Sequence, residues 1–245
     1  MPTSHAHPRR TDESERIKSR YATRDAHAGA PDAFAILERE DRFAAIGELL
    51  GAHFSGRSLA TLTALDVGCG GGTSLQHFLT LGFETIHLVG IELMPGRAAA
   101  ARDLLPENVR IIEGDAVTAP LPFDRFDAIL QSMVFTSILD DDVQRGLAKR
   151  MWDLVKPGGL IVWYDFVYDN PLNKDVRGMP VSRIRTLFPD GELTTKTITL
   201  APPIGRPAAR LSPALYRALS AIPLLRSHVL ASIAKPTSGN MVGAP

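Results

Sequence analysis

The stretch LTALDVGCGGGTSLQHFL, Leu62 to Leu79, constrains the fold more than any other part of the chain. Leu62 to Val67 is an apolar run of the kind that forms a strand buried on both faces. Gly68, Gly70, Gly71 and Gly72 follow, after which Leu75, Phe78 and Leu79 fall on one face of a helix. A strand that passes through a glycine turn into a helix is how doubly wound α/β folds bring backbone N–H groups close to a nucleotide-like ligand. A Cβ would block that approach, and such a turn calls for positive φ.

The details of the turn discriminate between ligands. A dinucleotide fingerprint runs G-x-G-x-x-G/A, whereas here the third glycine comes one place early and Thr73 stands where the last Gly or Ala belongs. Asp66, two residues before the first glycine, would repel a pyrophosphate and attract an ammonium or sulfonium charge. HLVGIEL, His87 to Leu93, reads as a second strand ending in Glu92, at the spacing where an acidic side chain takes a ribose diol. Together these residues resemble motif I and the following acidic position of class I S-adenosylmethionine-dependent methyltransferases. The resemblance spans about residues 60–167 and includes the step Gly114-Asp115-Ala116 and the turn Lys156-Pro157-Gly158-Gly159.

That resemblance implies S-adenosylmethionine as cofactor and assigns roles along the strand ends. The backbone of Gly68, Cys69, Gly70 and Gly72 meets the amino-acid part, with Asp66 beside it. Glu92 holds the ribose hydroxyls and Leu93 packs on adenine, while Asp115 accepts from the adenine amino group with Ala116 alongside. Gln131 and Ser132, at the end of the fourth strand, face the methionine part or the acceptor. Cys69 is expected to be a packing residue, because the turn requires a small side chain there.

Around this unit the chain alternates. Helix 73–81 leads to strand 86–91, helix 94–105, strand 108–113, strand 126–135, helix 140–155 and strand 160–166. This spacing predicts a parallel sheet with right-handed crossovers. A short helix at 181–188, a strand at 192–200, the proline-rich 201–207, a helix at 213–225 and a strand at 228–235 close the chain. The expected fold is α/β: a doubly wound, seven-stranded Rossmann-like methyltransferase sheet with an antiparallel closing strand, an N-terminal helical cap and a C-terminal helical insertion. Residues 1–14 are expected to be a disordered tail and 15–58 the cap, with a short helix from Ser14 and a second from Pro31 to Leu50 capped by Asp32. Residues 59–168 form the cofactor-binding core, and 169–245 complete the sheet on the substrate side.

Composition narrows the partners. The formal net charge is zero, but residues 25–169 hold 11 Lys/Arg against 21 Asp/Glu, whereas residues 170–245 hold 10 against 3. A nucleic-acid enzyme would show a net basic balance with interleaved aromatics, and no Asn/Asp-Pro-Pro-Tyr/Phe step follows the fourth strand. A small-molecule acceptor, anionic or sugar-containing, fits better, and nucleic acid is not expected. No apolar run reaches the length of a membrane span, the polar start predicts no secretory leader, and a lone cysteine suits a reducing cytoplasm. The stripe Leu215, Leu219 and Ile222 is expected to pack in the core rather than on a membrane, and the chain to act as a monomer or homodimer.

Methyl transfer to a hydroxyl calls for a base within hydrogen-bond reach, and to a neutral amine does not. Asp165, past the core of the fifth strand, is the expected base; Tyr164 and Tyr168 are expected to shape the acceptor pocket and Tyr21 to close over it as a lid. No metal is expected, since the histidines show no ligand spacing and the fourth strand ends in Gln131 instead of a carboxylate. Stretches such as FDAILQSMVFTSILDD and TLAPPIGR look like a bacterial subgroup of small-molecule methyltransferases, often of surface-polysaccharide or secondary-metabolite pathways. The expected reaction is O-methylation of a glycan or secondary metabolite; N-methylation and non-catalytic S-adenosylmethionine binding are the alternatives.

Overall fold

The computed structural model describes residues 8–26, 29–170 and 173–237. Its centre is a seven-stranded sheet of order β3-β2-β1-β4-β5-β7-β6. The strands are β1 (Ala64–Val67), β2 (Leu88–Glu92), β3 (Arg110–Glu113), β4 (Phe126–Ser132), β5 (Val155–Phe166), β6 (Glu192–Leu200) and β7 (Arg226–Ala234). The first five run parallel, and β7 lies antiparallel between β5 and β6. The chain moves outward from β1 to β2 and β3, then returns to place β4 on the other side of β1. The crevice outside the carboxyl ends of β1 and β4 is therefore a topological switch point, where ligands of such sheets bind.

Helices cover both faces. On one, α2 (Ala33–His53), α3 (Thr73–Thr80) and α4 (Pro95–Leu104) contribute Ile46, Leu50, Leu75, Phe78 and Ala101 to the core under β1, β2 and β4. On the other, α5 (Asp141–Leu154) and α6 (Val181–Leu187) contribute Leu147, Met151, Leu154, Ile184 and Leu187, with Ile17 of α1 (Pro8–Ala26) packed at the edge. The Asp32 carboxylate accepts from Ala35 N at 2.8 Å and starts α2, a cap of about 1 kcal/mol. Asp140 does the same for α5 by accepting from Asp142 N and Val143 N.

Three expectations are corrected. Helix α1 begins at Pro8 rather than Ser14, leaving only residues 1–7 of the expected disordered tail outside the described residues. Its early turns are fixed by Glu13, whose buried carboxylate accepts from Leu139 N at 2.7 Å and pairs with Arg16. Residues 156–159 are not a turn before β5 but part of it. Gly158, at φ +76°, kinks the strand, while Gly158 N donates to Lys235 O and Lys235 N donates to Gly159 O.

The proline-rich 201–207 is helical, forming most of α7 (Pro202–Leu211). Pro202 and Pro203 occupy a first turn whose N–H groups lack helical partners in any case. Ser212 then ends α7 and caps α8 (Pro213–Ser220), accepting from Ala214 N and Leu215 N. This helical pair is the expected C-terminal insertion, and it packs on the first turns of α2 through Phe34, Leu37, Ala208, Ala209 and Tyr216. Tyr216 is the residue of α8 that this packing buries. Of the expected core stripe, Leu219 is partly buried against the cluster, but Leu215 and Ile222 are exposed.

Candidate active site

The carboxyl ends of β1, β2, β3 and β4 enclose a pocket of about 180 Å³. Its wall includes Gly68, Glu92, Leu93, Asp115, Ala116 and Ser132. Each lies where a strand has just ended, so residues spread over more than sixty positions converge without any long loop.

The glycine turn shapes the pocket in two ways. Gly68 sits at φ +71°, and a Cβ there would lie 2.6 Å from Val134 Cγ2, so any larger residue would collide with the segment after β4. Gly72, at φ +88°, lets α3 start against α4: a Cβ would lie 2.8 Å from Leu105 Cδ1 and 3.3 Å from Ala101 Cα. Gly70 N donates to Glu92 Oε2 at 2.8 Å, and Met94 N donates to Glu92 Oε1 at 2.8 Å. Both oxygens of Glu92 are thereby aimed, each with a lone pair left over for a ligand hydroxyl. Asp115 Oδ1 accepts from Val117 N at 2.8 Å, which sets that carboxylate on the pocket wall. Cys69 is buried, and burial, followed by the charges of Asp66 and Glu92, pushes its thiol well above the usual range. Its side chain packs in the core with Leu75 and Phe78.

Asp66 is the exception among the carboxylates. It is 1% exposed, and its Oδ2 has no hydrogen-bond partner among the described residues. Burial first, and then the charge of Glu92, push its carboxyl up to about 8, against a lowering by Arg42. A buried acceptor left without a donor costs free energy unless a ligand supplies one. A cationic donor satisfies it best.

Helix α1 covers the pocket, with Ser14, Ile17 and Tyr21 on its inner side. Tyr21 Oη lies 2.8 Å from Ser137 Oγ, and the Arg97 guanidinium stacks 4.4 Å from the tyrosine ring centroid while pairing with Asp25. Arg20 donates to Ser137 O at 2.8 Å and to Asp175 O at 2.6 Å. Tyr21 therefore lies where a lid would lie, across the pocket mouth, latched at both ends of its helix.

The other expected acceptor-side residues separate. Asp165 is fully buried: Gln131 Nε2 donates to its Oδ2 and Thr136 Oγ1 to its Oδ1, both at 2.9 Å. Burial pushes its carboxyl up to about 7, partly offset by Gln131 and Thr136. Neither Asp165 nor Gln131 reaches the pocket wall, because both side chains are sealed in this network; Gln131 Oε1 also accepts from Val134 N. The base expected at Asp165 is thus withdrawn from solvent and ligand alike. Tyr168 is 68% exposed and stands outside the pocket.

Tyr164 is buried on the opposite face of β5, where its Oη lies 2.8 Å from Thr199 Oγ1 and donates to Glu38 Oε1 at 2.7 Å. His228 stacks on its ring at a centroid distance of 5.0 Å. Burial, then the charge of Arg42, lowers the imidazole to about 4 and leaves it neutral at pH 7. Thr199, a β-branched residue, holds the strained φ of +63° beside this contact. Glu38 and Arg42, both on α2, were not legible as site residues; a charged pair four apart on a helix reads as a solvated face.

No described helix is long and apolar enough to cross a membrane. Among the described residues, no group of three His, Cys, Asp or Glu side chains is placed to hold a metal ion.

Comparisons with known proteins follow the same geometry. A family model described as a methyltransferase domain matches residues 64–159. Sterol 24-C-methyltransferase ERG6B of Gibberella zeae is 30% identical over 148 residues, 56% of this chain and 37% of the fungal protein. The uncharacterized methyltransferase YdaC of Bacillus subtilis is 33% identical over 96 residues, 39% of this chain and 51% of its own length. The chain thus spans about half or less of these curated relatives. Among solved structures, an S-adenosylmethionine-dependent methyltransferase from Mesorhizobium loti superposes with a TM-score of 0.58 at 18% identity, covering 77% of this chain and 96% of that one. A putative sarcosine dimethylglycine methyltransferase from Galdieria sulphuraria gives 0.59 at 15% identity, with 81% and 86% covered. Residues 64–159 thus match a methyltransferase domain, and the fold of the chain is that of the S-adenosylmethionine-dependent methyltransferase from Mesorhizobium loti.

Proposed function

We propose that this chain transfers a methyl group from S-adenosylmethionine to a small-molecule acceptor, a hydroxyl in preference to an amine, in the cytoplasm. The observation that carries the reading is the pocket at the switch point, walled by a backbone-aimed Glu92 and by Asp115, with the unsatisfied Asp66 buried behind the wall at Val67 and Gly68. The residues fit the cofactor. Asp66 offers its free oxygen to an ammonium, Glu92 its lone pairs to a diol, and Asp115 an acceptor to an amino group. When bound, the cofactor supplies a methyl already activated by a sulfonium, so the protein's task is alignment and exclusion of water.

Helix α1 serves exclusion: Ile17 and Tyr21 cover the pocket, and the latches through Ser137 and Arg97 hold them there. For a hydroxyl acceptor the chain must also take a proton. Asp165, sealed behind Gln131 and Thr136, does not present that base on the pocket wall.

The acceptor class is anionic or sugar-containing. Arg177 and Arg183 support this, flanking a groove beyond the carboxyl end of β5 with Asp141 as their shared counter-ion. The sterol relative's acceptor is not carried over, because α1, whose Ser14, Ile17 and Tyr21 line the pocket, lies outside the matched methyltransferase domain.

The test is a panel of hydroxyl and amine acceptors, incubated with methyl-labelled S-adenosylmethionine and read by release of S-adenosylhomocysteine and product mass. Turnover of hydroxyl acceptors is expected. Turnover of amines alone would correct the acceptor. Binding without turnover of any acceptor would make the chain a non-catalytic S-adenosylmethionine binder.

A further inference from the structure

Helices α7 and α8 turn an apolar and basic surface away from the fold. Their inner sides are fixed on α2. Gly205 brings α7 so close that a Cβ there would lie 2.3 Å from Phe34 Cε2, Ala208 and Ala209 are buried beside it, and Tyr216 is buried from α8. Ten large hydrophobic side chains are exposed among the described residues, and five of them, Ile204, Leu211, Leu215, Ile222 and Leu224, fall within residues 204–224. Single exposed hydrophobics are ordinary on a protein surface, but such a concentration marks an interaction site. Leu211, at the end of α7, is 77% exposed, and Leu224, at the centre of the 3₁₀ turn Pro223–Leu225, is 95% exposed.

The charges of the same segment carry one sign. From Leu193 to Thr237 there are six Lys and Arg and no Asp or Glu. In α7, Ile204 and Leu211 are seven apart and share one side, whereas Arg206 and Arg210 are four apart and share another. In α8, Leu215 and Arg217 flank the buried Tyr216. Arg206 pairs with Asp32 of α2, and Arg217 lies 4.0 Å from Glu40. Arg210 is exposed and has no ion pair with any described residue. The surface therefore sets apolar side chains beside a surplus of positive charge. An isologous contact with a second copy would bring these arginines against one another. An anionic bilayer surface matches both properties, and it demands no complementary pocket because lipids rearrange around each side chain.

We propose that the outer surface of α7, α8 and the turn after them docks this protein on an anionic lipid bilayer. Leu211, Leu215, Ile222 and Leu224 enter the headgroup boundary, and Arg210, with Arg206 and Arg217 beside it, meets lipid phosphates. At about 15 Å and 12 Å the two helices are too short to span a bilayer, so they lie in its interface. Leu215 and Ile222, expected in the core, are exposed because α8 gives its inner side to Tyr216. The docking surface is independent of the cofactor reading of the pocket.

The experiment is flotation of the purified protein with vesicles of phosphatidylcholine alone, or of phosphatidylcholine with an equal part of phosphatidylglycerol. Binding to the mixed vesicles is expected to be roughly tenfold or more the stronger, and to weaken as salt is added. Leu211→Ser and Leu224→Ser change exposed positions and are expected to keep the wild-type fold by circular dichroism. Each is expected to weaken vesicle binding about tenfold, from the apolar area withheld from lipid, and Arg210→Gln about fivefold. Ile86→Ser, at an exposed hydrophobic outside the segment, is expected to change it by less than about twofold. Protein that stays with the soluble fraction whatever the lipid would overturn the proposal, as would binding that Leu211→Ser and Leu224→Ser leave unchanged. Equal binding to both vesicle types at every salt concentration would overturn it too. So would a dimer in sedimentation equilibrium that the same two substitutions dissociate, which would give the surface to a second copy.

Discussion

In the proposed function, Asp66 makes cofactor binding a proton-coupled event. Its carboxyl, pushed up to about 8 by burial and then by Glu92, carries roughly 0.9 proton at pH 7 in the ligand-free protein. An ammonium brought to its free oxygen favours the carboxylate, so binding must expel that proton. About 0.9 proton is therefore released per ligand at pH 7, falling to about 0.5 at pH 8. The assay is titration with S-adenosylhomocysteine in buffers of different ionisation enthalpy, where the slope of observed heat against buffer enthalpy counts the protons.

Asp66→Asn should abolish the slope. The same carboxyl governs stability without ligand. Because its folded value stands above the unfolded one, its contribution is intact below about pH 4 and is lost as pH rises through about 8. Asp66→Asn should accordingly stabilise the ligand-free protein at pH 8 and leave it unchanged at pH 4. A zero slope in the wild type at pH 7, or an undiminished slope in Asp66→Asn, would refute the reasoning.

Other consequences are as direct. Gly72→Ala places a methyl 2.8 Å from Leu105 Cδ1 at a positive φ, and should cost about 1–3 kcal/mol in urea unfolding. Thr136→Val removes a donor to the buried Asp165 and should cost about 1–3 kcal/mol; a neutral result would show that the network is dispensable. Asp127 accepts from Lys156, Arg57 and Thr63, which hold its carboxyl below the usual range despite the opposing effect of burial. Its contribution to stability is present above about pH 4 and lost as pH falls below that, so the wild type and Asp127→Asn should converge in acid-unfolding curves. Tyr21→Ala should speed S-adenosylhomocysteine release severalfold in stopped flow, since it removes the latch to Ser137 and the stacking surface of Arg97.

The cofactor half of the site was legible because its signals are local. Asp66, Gly68 and Gly72 sit within seven residues, Glu92 ends a strand whose apolar run is visible, and Asp115 follows the next strand by two residues. The cluster around Tyr164 and Arg42 was not, because it is assembled across the chain. Arg42 meets Ser132 at a separation of ninety residues, and Glu38 meets Tyr164 at 126. Asp165 was misread for a related reason. Neighbours on a strand face opposite sides, so Tyr164 turns toward α2 while Asp165 turns toward Gln131 and Thr136. Composition hid α7, whose prolines read as a linker although two of them occupy its first turn. The start of α1 was hidden as well, because Glu13 gains its anchor only from Leu139.

The central claim is that the pocket at the switch point binds S-adenosylmethionine, and titration of the purified protein with S-adenosylmethionine, S-adenosylhomocysteine and NAD tests it most directly. The first two are expected to bind, and Asp66→Ala and Glu92→Ala to lose that binding while keeping the wild-type fold by circular dichroism. Binding of NAD alone, or of none of the three, would contradict it.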